Sequence, residues 1–331
     1  MRQIKNFFTI LLILTIIISF PLLNVNAREG EQQNIYRIRM GLFKNIETIY
    51  QIPWYYLAAI DQFERSIQPV RKDIPEKKGL IAIYFTKEKW AGLLHPDPDD
   101  QNPGRIQFFN GFGVDGNGDG KANRDDDLDV LVAFSNFLLR YGTTEQAIIN
   151  GLKEYYNEQS AKIILEMAAI YKNYNRLDLT GRVFPIPRWF NYSYQSTWGD
   201  TRGWGGIRIH EGTDIFSSYG TPVRSVSHGY VEVLGWNKYG GWRVGIRGLN
   251  NIYYYYAHLS SFKKGLKVGD IVKPGDIIGY VGSSGYGPPG TQGKFPPHLH
   301  FGMYKYNGRY EWSFDPTPYL RLWEKNQYSK R

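Results

Sequence analysis

The apolar pattern of this 331-residue chain changes period part-way along, and that change constrains its fold more than any other feature. Over 31–175 the apolar residues recur at helical spacing. Leu128–Tyr141 sets Leu128, Leu131, Val132, Phe134, Leu138 and Leu139 on one broad face. Ile46–Ile60 carries the same spacing, interrupted at Pro53, and Gln146–Tyr156 and Ala161–Tyr174 repeat it. Gly142 suits a helix stop, and Thr143 or Thr144 an N-cap for the helix that follows. The Pro-, Asp- and Gly-rich stretch 67–127 is expected to be loops. From Phe184 alternation replaces the helical period. Val223–Val233, Trp242–Arg247, Ile252–Leu259 and Asp276–Val281 read as strands, with Gly248–Asn251 as a hairpin loop. The pattern predicts a helical domain over 31–175, a linker over 176–183 and an all-β domain over 184–331.

The N-terminus bears on compartment. Arg2 and Lys5 precede the apolar run Phe7–Leu23, and Val25-Asn26-Ala27 follows with small residues where a signal peptidase reads. Residues 1–27 are therefore expected to be a secretory signal or, if uncleaved, a membrane anchor. Either places the rest of the chain outside the cytoplasmic membrane, with membrane contact only through an uncleaved segment. There is no Cys, which excludes a disulfide scaffold, a thiol nucleophile and thiolate metal sites. The net charge of +9 suits attraction to anionic polymers such as those of a cell wall. No Lys/Arg stripe marks a nucleic-acid partner, and none is expected.

Five of the six His fall in the β half. His210 and Asp214 lie four apart, but Gly205, Gly206, Gly212 and the β-branched Ile207 and Ile209 around them argue against a helix. Glu211 is thus not the base of a zincin helix, whose second His is missing. His298 and His300 are two apart, so on a strand both rings point to one face. His258 ends the aromatic run Tyr253–Tyr256. A catalytic zinc takes three N or O ligands and leaves a fourth place for water. His210, Asp214 and one of the His298/His300 pair meet that count, with the spare His and His258 available for acid–base work. Trp189, Trp198, Trp204 and the Tyr253–Tyr256 run are candidates for a groove lining or for core. His95 and His228 read as structural.

In this order the motifs resemble those of the lysostaphin/LytM-type zinc endopeptidases of bacterial walls: HxxxD at His210 and Asp214, YAHL at His258, HLHF at His298 and His300. Gly220-Thr-Pro-Val223, Gly279-Tyr-Val-Gly282 and Asp315-Pro316 match as framework, over about Phe184–Leu320. The resemblance implies Zn²⁺ on His210, Asp214 and His300, with His258 and His298 as general base and oxyanion stabiliser. It implies an all-β duplicated-hybrid-motif barrel and hydrolysis of peptidoglycan stem peptides or cross-bridges. A narrower likeness is to the L-Ala–D-Glu endopeptidases of sporulation, which cut spore-cortex stem peptides. The rival reading is a non-catalytic wall-binding scaffold.

In the helical half, residues 51–66 resemble the catalytic helix of lytic transglycosylases, with Glu64 where those enzymes keep their acid. Tyr155-Tyr156-Asn157 resembles their late Tyr-Asn motif, whereas Ile106-Gln107-Phe108 departs from their Gln-Phe segment. The likeness implies a lysozyme-like domain and a possible second activity, glycan cleavage through Glu64. Asp115, Asn117 and Asp119, with Gly120 at the sixth place and Asp126 at the twelfth, open like an EF-hand loop and suggest Ca²⁺. The bland alternative is a solvated acidic loop capping the next helix.

Overall fold

The computed structural model describes residues 30–75, 77, 79–203 and 207–329. The segment 1–27 expected to be a signal or anchor, and Trp204, lie outside the described residues. Among the described residues no helix is long and apolar enough to cross a membrane.

Eight α-helices are described, with a short 3-10 turn at Gln68–Val70. α1 spans 30–50, and Pro53 separates it from α2 (Trp54–Ile67), as the interrupted period predicts. α5 (Asp127–Leu139), α6 (Glu145–Tyr155) and α7 (Glu158–Tyr174) occupy the other expected segments. The cap of α6 is Thr144, whose hydroxyl accepts from Ala147 N at 3.2 Å. Gly142 has the left-handed φ of +115° that ends the helix before. The stretch 67–127 is not all loop: it contains α3 (Lys87–Ala91) and α4 (Pro103–Phe108). It also supplies Ile81, Ile83, Phe85 and Trp90 to the core. Its Pro and Gly content hid elements too short to show a period. α8 (Thr317–Ser329) follows the sheet and buries Leu320 and Trp323 against it.

The C-terminal half is an antiparallel sheet. Its strands are β1 (Tyr192–Tyr194), β4 (Thr213–Ser217), β5 (Pro222–Arg224), β6 (Gly229–Asn237), β7 (Gly241–Gly248), β8 (Ile252–Phe262), β9 (Ile271–Val272), β10 (Ile277–Val281), β11 (His298–Tyr306) and β12 (Glu311–Phe314). The order is β1-β4-β11-β8-β7-β6-β9, with β10 on β5 and β8, and β12 on β11. A separate ribbon pairs β2 (Thr201–Arg202) with β3 (Arg208–Ile209). The single strand expected over Val223–Val233 is two, β5 and β6, separated at Ser225–His228. Ser225 and Ser227 there are fully buried, and Ser225 Oγ donates to Ser227 O at 2.8 Å.

Buried side chains form two clusters, one in the helices and one in the sheet. The boundary between them is packed. Leu177 and Leu179, from the expected linker, join the helical core, as do Leu249 and Tyr306 from sheet loops and edges. Tyr306 Oη donates to Asn157 at 3.0 Å, and Asn157 donates to Gly308 O at 2.7 Å. The linker is therefore not a free tether.

Candidate active site

Three β segments build the centre. β11 lies between β4 and β8, and its register sets His300 directly opposite Asp214 on one side and Ala257 on the other. The HxH spacing sends both rings to one face of β11. His210 enters from the end of β3, as an irregular approach rather than a helix turn. His210 Nε2 lies 2.9 Å from His300 Nδ1 and 3.1 Å from Asp214 Oδ1, and His300 Nδ1 lies 3.1 Å from the same oxygen. Among the described residues this is the one trio of His, Asp or Glu with donor atoms so gathered. Zinc bonds of ~2.0–2.1 Å put tetrahedral donors about 3.3 Å apart, so the donor set suits such an ion. The remaining polar atoms agree. His210 Nδ1 is 2.7 Å from Thr197 O, which keeps its proton on Nδ1 and leaves Nε2 as a lone-pair donor. A Cβ on Gly212 would stand 2.6 Å from the His300 imidazole, so the second residue after His210 has to be small.

Asp214 Oδ2 is held by Arg202, 2.8 Å away on the β2–β3 ribbon, which leaves Oδ1 facing the two imidazoles. Burial works against ionisation of Asp214, but the bonds from His210 and His300 hold its carboxyl well below the usual range. Sequence spacing gives no sign of Arg202. It sits twelve residues before Asp214 in a strand of two, and the ribbon alone brings it in.

His258 and His298 flank the trio, their rings 4.8 Å apart. Each has Nδ1 on a backbone carbonyl, Ser284 O and Pro296 O, both at 2.8 Å. Each Nε2 is thus the free base, and His298 Nε2 comes within 3.7 Å of Asp214 Oδ1. Burial pushes both imidazoles down, His258 furthest, with neighbouring His adding to it. His258 reaches this face through a bulge. β8 carries one extra residue against β7 between Tyr256 and Leu259, and His258 adopts a left-handed φ of +62°. Its N–H to Gly240 O at 2.7 Å holds the bulge in place.

The centre opens into a groove of about 570 Å³ whose walls include Arg208, Glu211, Tyr239, Tyr255, Tyr286 and Phe295. Of the expected aromatic liners Tyr255 is there, while Tyr254 and Tyr256 are core and Trp189 is exposed away from it. Strand alternation explains the split of the Tyr run. His95 pairs with Asp100 at 3.1 Å, and His228 packs edge-on against Tyr174, both away from the groove.

Glu64 lies in a second cavity of about 370 Å³ with Tyr155, Tyr156 and Asn157. Tyr156 Oη donates to its Oε1 at 2.7 Å, and burial pushes its carboxyl up to about 7 against that bond. None of Ile106, Gln107 or Phe108 lines this cavity. The expected calcium set does not converge. Asp126 is the N-cap of α5, accepting from Leu128 N and Asp129 N. Asp115 accepts from Gly118 N and Gly120 N, both at 2.7 Å; Asn117 and Asp119 likewise bond backbone N–H groups. The loop folds around buried Asp129, which takes the N–H of Gly116, Asn117 and Asn123. Asx turns mimic the spacing of a calcium loop without needing the ion.

Residues 208–314 match the model of peptidase family M23. An L-Ala–D-Glu endopeptidase of Bacillus subtilis is 56% identical over 294 residues, 88% of this chain and 90% of that protein. The chain belongs to peptidase family M23. It is a metalloendopeptidase acting on peptidoglycan. A glycyl-glycine endopeptidase of Staphylococcus capitis is 40% identical over 114 residues, 34% of this chain and 29% of that one. Among solved structures, the catalytic domain of the antimicrobial peptidase lysostaphin from Staphylococcus simulans is similar at 34% identity and a TM-score of 0.31, over 40% of this chain and 92% of that chain.

Proposed function

We propose that this M23 peptidase hydrolyses the L-Ala–D-Glu bond of peptidoglycan stem peptides, with zinc held by His210, Asp214 and His300. The observation that carries the bond assignment is the near full-length match to the Bacillus subtilis L-Ala–D-Glu endopeptidase, which runs through the helical half as well. The glycyl-glycine endopeptidase match covers about a third of the chain. The apolar run in 1–27 supports export, and the motif resemblance to the sporulation endopeptidases extends the reading to cortex peptidoglycan. The positive net charge suits retention on anionic wall polymers.

Bound in the trio, zinc supplies a Lewis acid that polarises a carbonyl and brings the pKa of water to roughly 7. The chain's own groups do the rest. His210, Asp214 and His300 present lone pairs to one point, and Arg202 keeps Asp214 turned toward it. One of the neutral imidazoles of His258 and His298 takes the proton of the attacking water at Nε2 and returns it to the leaving amine. The other is neutral in the resting groove and takes up a proton at Nε2 from solvent as negative charge develops on the carbonyl oxygen, which it then stabilises. The intact trio counts against a non-catalytic scaffold.

The test is digestion of purified peptidoglycan with the full secreted chain. New N-terminal D-Glu, with L-Ala left on muramic acid, is the expected result. Free Gly termini or D-Ala–diamino-acid cleavage overturns the bond assignment.

A second reading adds glycan cleavage by Glu64 in a lysozyme-like helical domain. A buried carboxyl pushed up to about 7 beside Tyr156 and open to a cavity favours it, because such a group is still partly protonated near neutral pH. Glycan-chain ends that appear in the same digests and vanish with Glu64→Gln are the expected sign. Digests with new peptide termini and no new glycan ends dispose of this reading.

A further inference from the structure

We propose that Arg208 reads a substrate carboxylate beside the scissile bond, selecting a free α-carboxylate on D-Glu over its amide. This rests on the L-Ala–D-Glu reading. In a stem peptide whose D-Glu continues through its γ-carboxyl, the residue after the scissile bond keeps that carboxylate free.

The placement comes from the β2–β3 ribbon. Arg208 is two residues before His210 and lines the groove with it, while Ile207 is 90% exposed and outside that lining. The register sets Arg208 directly across from Arg202. Like charges directly opposite are destabilising; Asp214 offsets part of that cost through Arg202, and a substrate anion at Arg208 adds to the relief. Arg202 is engaged with Asp214.

Arg208 is fixed by aromatic rings. Its guanidinium lies 5.3 Å from the Tyr239 ring centre and 5.2 Å from that of Tyr286, and it hydrogen-bonds Tyr286 Oη. Tyr286 in turn stacks on His258 at 6.2 Å with a 21° interplanar angle. The cation is therefore held one ring away from a catalytic imidazole. A guanidinium stacked on ring faces presents its N–H edge to planar acceptors, and a carboxylate matches that fork. Of the groove's own carboxylates, Asp214 bonds the imidazoles and Arg202, and Glu211 accepts from Tyr304 Oη at 3.3 Å. With a divalent cation in the trio the groove is positive, which suits an anionic residue next to the cleaved bond.

The experiment uses the zinc-loaded full chain and two synthetic stem peptides, identical except that one carries D-Glu with a free α-carboxylate and the other its α-amide. Wild-type enzyme is expected to prefer the acid in kcat/KM by about tenfold or more. Arg208→Gln is expected to lose that preference through a raised KM for the acid, and Arg208→Lys to keep part of it. Zinc content and circular dichroism report whether each variant is folded and loaded. Equal cleavage of the two peptides by wild-type enzyme overturns the proposal whether or not a variant folds. So does Arg208→Gln slowing both peptides alike. If wild-type enzyme cuts neither peptide at this bond, the bond assignment itself falls, and the proposal with it.

Discussion

Asp214→Asn is expected to remove zinc and nearly all peptidase activity. The carboxylate oxygen that lies 3.1 Å from both His210 Nε2 and His300 Nδ1 becomes a neutral amide atom. A neutral amide oxygen is a weaker donor to zinc than a carboxylate, and the NH₂ competes for the same imidazole lone pairs. Lewis-acid assistance contributes several kcal/mol to such hydrolysis, so kcat/KM is expected to fall by about a thousandfold or more. Zinc per chain, measured by mass spectrometry, is expected to fall with it. Arg202→Gln leaves all three ligands in place but releases Oδ2, and is expected to weaken zinc about ten- to a hundredfold in chelator competition. Full zinc occupancy with retained activity in Asp214→Asn would remove this carboxylate from the site.

The second large effect is on stability against pH, and it arises where helices meet sheet. Glu166 on α7 faces Glu232 on β6, both nearly buried. Lys162 is 3.4 Å from Glu166 and 3.6 Å from Glu232, and Arg247 bonds Glu232 at 3.0 Å and Glu311 at 2.8 Å, with Tyr253 beneath it. Three carboxyls thus share two cations. Burial, then the hydrogen bond and charge of Glu232, push the Glu166 carboxyl far above the ordinary range, so the folded protein keeps a proton there. Burial opposes the ionisation of Glu232, but the Glu166 and Arg247 bonds bring its carboxyl down. The folded state binds a proton that the unfolded chain releases above its ordinary value of 4.5. The stability it lends is complete below that value and is lost as pH rises through the raised one. The expected outcome is a Tm that declines from about pH 5 to about pH 9, and a shallower decline in Glu166→Gln, which keeps a donor and cannot ionise. Equal slopes for the two proteins would exclude Glu166 as the source.

The expected site residues did not all reach their places by the same physics. His298 and His300 share a face because strand side chains alternate, a rule that needs no partner strand. His258 disobeys that alternation: without the bulge held by Gly240 O and Ser284 O its ring would not join the others. The acidic loop shows the opposite failure. Asp115, Asn117, Asp119 and Asp126 have an ion-binding spacing, yet their oxygens are taken by backbone N–H groups and the helix cap. Composition cannot separate an Asx-turn loop from a calcium loop, because both need short oxygen-bearing side chains and Gly at left-handed positions.

Local spacing was enough for the two periodicities, the helix stops at Pro53 and Gly142, the absence of thiol chemistry, and the pool of His and Asp side chains a metal could draw on, while the choice of His300 over His298 came from the resemblance. Those depend on residue type and on neighbours within a few positions. Tertiary structure decided what long-range pairing alone can set. It placed His300 opposite Asp214 across 86 residues and swung Arg202 onto that carboxylate. It also turned the expected linker into core and pressed Glu166 against Glu232. The reason is that a hydrogen-bonded register and a buried interface are properties of two segments together, and neither segment carries a mark of its partner.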